Sequence, residues 1–239
     1  MKAAKQKLSD FIMFEKAPYE KPDLRNIMEI HTGGAKEREK VYGPAFTAEF
    51  IKYTLRTAEK QTGENPPQDI KTLDQLKEYL ISISEKLSSP PYLILIGAEY
   101  VIDKKFEGSQ AAGTQLMFRG VTKRVVESDS NMKQFPRADV DQTLTKLRQL
   151  AVGMKIAPLE FGYKMNEDNS VDVFHGGCFY LKGCQTSLEH GLLKRKDGRM
   201  ACGASSFVCQ FLKMGTKYEW DYTILEFSET HCIVNCFMI

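Results

Sequence analysis

All six cysteines of the chain, Cys178, Cys184, Cys202, Cys209, Cys232 and Cys236, fall in its last sixty or so residues. His175, His190 and His231, three of the four histidines, stand with them, and no cysteine precedes residue 178. Reactive residues gathered this unevenly point to one local site. The fold upstream must then build or serve that site.

At 239 residues and 42% hydrophobic, the chain can bury one core, or one core with a helical extension. A net charge of +2 leaves no basic stripe of the kind a dedicated nucleic-acid binder carries. No apolar run is long enough to span a bilayer, and Met1-Lys-Ala-Ala-Lys-Gln-Lys lacks the apolar stretch of a secretory signal. The expected location is the cytoplasm, without membrane or nucleic-acid partners. There, six cysteines serve as thiols, metal ligands or redox centres rather than a disulfide framework.

Residues 1 to about 40 are polar and charged, interrupted by Pro18, Pro22 and Gly33-Gly34, and read as an arm with at most short helices. From Ala45, helical spacing of Phe46, Phe50, Ile51, Leu55 and Ala58 predicts a helix ending near Gly63. Thr72 caps a second helix with the stripe Leu73, Leu76, Leu80, Ile83 and Leu87, stopped by Ser88-Ser89-Pro90-Pro91. Tyr92 to Ile102, β-branched, aromatic and almost continuously apolar, predicts a strand. A helix is expected over residues 108 to 125 and another from Val140, capped by Asp139, to about Val152. Ile156 to Met165 and Val171 to Phe174 predict paired strands around a turn rich in Asn and Asp. Cys178 to Leu193 and Cys202 to Met214 read as helices, Tyr218 to Phe227 and a short segment through Phe237 as strands. The fold class is α+β: a helical portion over 1–89, then a cysteine-rich domain of helices and antiparallel sheet over 90–239.

Glu229-Thr-His-Cys232-Ile-Val-Asn-Cys236, with Cys209 from the preceding helix, offers the thiolate and carboxylate donors that zinc takes in a tetrahedron. Glu229 and Cys232 share a metal only if the chain turns or bulges between them, and His231 competes for the same role. An iron–sulfur cluster on four of the six cysteines is the alternative cofactor. The remaining thiols equally suit buried small hydrophobes. Trp220, Tyr218 and Tyr222 suit either a pocket for an apolar ligand or cross-strand packing.

Several of these features together resemble the 4-vinyl reductase domain family. Ala112-Gly113-Thr-Gln-Leu116-Met-Phe-Arg-Gly120 is similar to its first characteristic helix, and Ile224-Leu-Glu-Phe-Ser-Glu229-Thr-His-Cys232 to its strand ending in Glu-x-x-Cys. Cys236-Phe237 resembles its closing strand. The likeness spans roughly residues 90 to 239. It implies zinc held by Cys209, Glu229, Cys232 and Cys236, and a pocket for a small apolar or aromatic ligand near Phe118, Trp220 and Tyr222. The family's Gly-Asp turn before the last cysteine is missing here. Either Cys236 fills the fourth position through a tighter turn, or Cys202 or Cys178 substitutes.

A second, weaker resemblance is to the amino-thiazoline-carboxylic acid hydrolase family, although Ser205 stands where that family's Cys-x-x-Asp places its aspartate. The leading expectation is a zinc-stabilised small-molecule-binding protein, a sensor or accessory factor acting through a protein partner. The rivals are an enzyme with Cys178 as nucleophile and His175 assisting, and a scaffold subunit. A homodimer is expected.

Overall fold

The computed structural model describes residues 7–105, 138–189 and 202–239. Its described part is α+β, with helices leading and a five-stranded antiparallel sheet following. The helix expected at 108 to 125, with Phe118, and the stretch containing His190 lie outside the described residues.

Four helices make the front: α1 (Leu24–Tyr42), α2 (Pro44–Thr62), α3 (Leu73–Ser82) and α4 (Pro90–Lys105). The second and third follow the sequence pattern. Thr72 and Gln75 close a full capping box on α3, and Gly63 ends α2 in the left-handed region. Two expectations are corrected. Residues 24 to 42 form a 19-residue helix rather than an arm. Asp23 caps it, Ile27, Met28, Ile30, His31 and Ala35 are buried along it, and Gly33-Gly34 lie buried inside it. Much of its charge is a seam to α3, where Lys36 meets Asp74, Glu29 meets Lys77 and Arg25 meets Glu78.

Tyr92 to Ile102 is likewise helix, not strand. Pro90 and Pro91 suit a helix's first turn, where their missing N–H groups are not needed. The run is apolar all round because α4 is buried on two sides. Leu93, Ile94, Ala98 and Val101 join the front core, while Tyr92 and Leu95 face a second cluster with Tyr180 and Cys184. A Cβ at Gly97 would lie 2.3 Å from Thr54 Oγ1, so α4 and α2 approach as closely as a glycine permits.

The sheet order is β1-β2-β3-β5-β4, with β1 Ile12–Met13, β2 Glu160–Met165, β3 Val171–Gly176, β4 Trp220–Phe227 and β5 His231–Met238. The β2–β3 turn closes through Asn166 and Ser170, with Asn169 at positive φ. β5 is an eight-residue strand, and the β4 register shifts between Ile224 and Glu226 opposite it. Helices α5 (Val140–Gly153) and α7 (Gly203–Thr216) cover one face, burying Leu144, Leu147, Phe211 and Leu212 against Tyr163, Val173, Tyr222 and Val234. Between β3 and α7 comes α6 (Leu181–Glu189).

The boundary expected at residue 89 is crossed from both sides. α4 packs with α1 to α3, and the segment before α1 joins the sheet through β1 and through Phe14 N–H to Phe161 O at 3.0 Å.

Candidate functional site

Where the front helices meet the sheet, side chains from α1, α5, β2, β3, the segment before α6 and α7 leave an apolar cavity of about 60 Å³. That is room for a few water-sized molecules. Counting the gaps between lining side chains and the mouth, the empty space rises to about 610 Å³. Ile27 and Ile30 form the α1 wall, Leu147 and Ala151 the α5 wall, and Ala204, Phe207 and Val208 the α7 wall.

Four polar side chains line it: His31, Tyr180, His175 and Arg148. His31 Nδ1 lies 2.7 Å from Ile27 O, four residues back on α1. That carbonyl can only accept, so Nδ1 carries the proton and Nε2 accepts from the Tyr180 hydroxyl. Burial lowers the His31 pKa to about 4, against a smaller upward effect from the Ile27 carbonyl, and burial raises that of Tyr180. The pair is therefore a neutral, satisfied hydrogen bond between α1 and the start of α6. Gly203 permits it, because a Cβ there would lie 2.8 Å from Tyr180 Cζ.

His175 differs. It sits in a cross-strand row with Phe161 and Cys232 on the helix-covered face, its ring 5.4 Å from that of Phe161. It is 2% exposed, and among the described residues neither ring nitrogen has a hydrogen-bond partner. Burial alone lowers its pKa to about 4, so near neutral pH it is an uncharged imidazole with one donor and one acceptor unused.

Arg148 is 5% exposed. It donates to three main-chain carbonyls, Pro158 O at 2.7 Å, Glu15 O at 2.8 Å and Leu159 O at 3.3 Å. It thereby staples the N-terminal segment and the start of β2 to α5. Desolvation lowers its pKa, an indication that burying this charge is unfavourable.

The expected metal residues are dispersed. Glu229 is exposed in the β4–β5 turn, while Cys209, Cys232 and Cys236 are buried. Burial raises the Cys209 thiol well above its ordinary pKa, and the neighbouring Cys236 on β5 raises it further. Cys232 and Cys236 stand four residues apart on one strand, about 13 Å at the rise of an extended chain. Zinc at about 2.3 Å from each sulfur needs its thiolates within about 5 Å of one another. The arrangement therefore does not fit one tetrahedral ion on those four residues, and among the described residues no group of three or more metal-ligating side chains converges. His231 is engaged in the turn, with Ser228 Oγ at 3.0 Å from Nδ1 and Glu226 at 3.3 Å from Nε2.

Cys178 stands just ahead of α6, where its carbonyl accepts from Leu181 N. The Tyr180 N–H stabilises its sulfur, yet burial outweighs this and pushes the thiol up to about 12. With no hydrogen bond from His175, the thiol stays protonated at neutral pH, the opposite of an activated nucleophile. Cys184 and Cys232 are also raised by burial, and Cys202 caps α7 by accepting from Ser205 N at 3.5 Å.

Trp220 and Tyr222 pack in the core between sheet and α7 and do not line this cavity, although Trp220 with Tyr218 borders a separate open groove beside α5. Trp220 Nε1 donates to Thr216 Oγ1 at 2.8 Å, and the Tyr222 hydroxyl accepts from Cys202 N at 2.7 Å. His31, Tyr180 and Arg148 went unread in the sequence. The available signal was His31 four residues from both Ile27 and Ala35 on one stripe, legible only once residues 24 to 42 are read as helix.

Comparison with family models, with curated proteins and with solved structures finds no match to this chain. Among the described residues no helix is long and apolar enough to cross a membrane.

Proposed function

We propose that this chain is a small-molecule-binding protein whose ligand, apolar or aromatic in body, occupies the cavity between α1, α5, α7 and the sheet. The observation that carries the reading is His175: a buried imidazole lining a largely apolar cavity, with no partner for either nitrogen among the described residues. Leaving such groups unsatisfied costs roughly 1–3 kcal/mol each. A buried orphan of this kind calls for a partner, and a molecule in the cavity would supply one. The function agrees with the ligand-binding side of the resemblance to the 4-vinyl reductase domain family. The zinc set that the resemblance implies, Cys209, Glu229, Cys232 and Cys236, does not converge among the described residues, so the reading rests on the cavity alone.

Native mass spectrometry of the purified protein, followed by thermal shift against a set of small apolar and aromatic compounds, tests the reading. A ligand at about a hundred times its Kd stabilises by about 2.7 kcal/mol, or about 5 to 10 °C in Tm for a domain of this size. Ala204→Leu, which fills the α7 wall, should abolish that shift while leaving the unliganded protein folded. If nothing co-purifies and no compound moves Tm, or if Ala204→Leu leaves the shift intact, the cavity is not the site.

A further inference from the structure

We propose that the ligand is an organic acid, a small apolar body bearing one carboxylate, with Arg148 as its counter-charge and the His175 N–H as its second donor. The inference rests on the cavity being the binding site and adds the chemical class of what it takes.

The reasoning starts from charge. Among the described residues Arg148 is the one formally charged side chain lining the cavity. Its partners among the described residues are three main-chain carbonyls, which orient the guanidinium without neutralising it. A guanidinium has five N–H groups. Three of them meet neutral carbonyl oxygens, so among the described residues no hydrogen-bond partner carries the opposite charge. Buried charges are ordinarily paired, because desolvating an uncompensated ion costs several kcal/mol. An anion in the cavity removes that cost, whereas an uncharged ligand leaves it in place.

Geometry places the second donor at the same end. Two of the three carbonyls gripping Arg148 belong to Pro158 and Leu159, just before β2, and Phe161 on β2 packs at a tilt against the His175 ring. His31 and Tyr180 already satisfy each other and lie with Phe179 on the α1 and α6 side. The unsatisfied imidazole and the guanidinium charge therefore both lie by the sheet, and the apolar α1 and α7 walls are left for the body of the ligand. A single cation matches a monoanion, and planar carboxylate oxygens suit the fork of a guanidinium.

The test compares benzoate with benzyl alcohol and hexanoate with hexanol on the full chain near neutral pH, by calorimetry and ligand-detected NMR. Each acid should bind at least about tenfold tighter than its alcohol, the scale of one charge-assisted pair. Arg148→Gln should erase the preference, Arg148→Lys should keep part of it, and His175→Phe should weaken the acids more than the alcohols. Should Arg148→Gln fail to fold, the acid-to-alcohol ratio of the unmodified protein still decides. Alcohols binding as well as the acids would overturn the acid while leaving the cavity as the site. Failure of all four to bind, with no co-purifying molecule and no Tm shift, would remove the site and the acid together.

Discussion

Two buried neutral histidines should make this fold sensitive to mild acid, and His175 allows the effect to be isolated. Its pKa falls from 6.5 to about 4 on folding, with burial as the cause. The unfolded chain therefore takes up the proton first. The stability tied to this group is complete above the unfolded pKa, declines as pH falls from 6.5 towards 4, and changes no further below that. Between about pH 8 and about pH 5 the loss integrates to about 2 kcal/mol for this one side chain. Against a typical total of 5–15 kcal/mol, that is a readily measured share. The perturbation is His175→Phe, which keeps a ring of similar volume and removes both unsatisfied nitrogens. At neutral pH the variant should be as stable as the parent or somewhat more so. Urea unfolding at the two pH values should show the parent losing about 2 kcal/mol more than the variant, carboxylate contributions cancelling in the difference. Equal losses in parent and variant, or an NMR titration placing His175 near 6.5, would refute the reasoning.

Three further outcomes follow from packing and capping. Gly183→Ala places a Cβ 2.6 Å from Tyr92 Cβ and Cγ, so overpacking of about 1–3 kcal/mol should outweigh the roughly 1 kcal/mol gained in helix propensity, read as a lower Tm. Thr72→Ala breaks the capping box of α3 and should cost about 1 kcal/mol, about 2–4 °C in Tm. All six cysteines are buried, so iodoacetamide should label them only as fast as the protein opens, and Cys178 no faster than the rest; rapid native labelling of Cys178 would revive the nucleophile.

The parts of the fold legible in the sequence are those where one local signal decides. Thr72 and Asp139 announce their helices through N-cap chemistry, and the Asn/Asp-rich turn fixes the β2–β3 hairpin. The two misread segments lack such a signal. In α1 the charges that suggest an arm are half of an ion-pair seam whose other half lies on α3, some forty residues on. In α4 burial on two sides erases the 3.6-residue period, leaving a continuous apolar run that a buried strand would share. The site divides in the same way. His175 was visible because it stands at the head of the cysteine-rich tail, but the cysteines drew it into a nucleophile's role. All six prove to be buried, and in packing terms they are small apolar side chains. Arg148 reads on sequence as an ordinary helical charge. Only the fold reveals that α5 turns it inward onto the carbonyls of Pro158 and Leu159.

The position of the cavity also determines what occupancy can do. One wall is α1, which is tied to the α5–β2 connection by Asp23 N–H to Lys155 O at 2.7 Å and Asn26 Nδ2 to Met154 O at 2.9 Å, and to the α6 side by His31 and Tyr180. All of these bonds are made within the chain, so α1 is docked by its own contacts. On the proposed reading, binding energy goes into the unsatisfied His175 and the Arg148 charge rather than into ordering a helix. The same arrangement makes α1 the element that reports occupancy. A ligand touching Ile27 and Ile30 adds apolar contact across the join between front helices and sheet. Hydrogen exchange should therefore slow in α1 on binding, while α3, which meets no cavity wall, should remain unchanged.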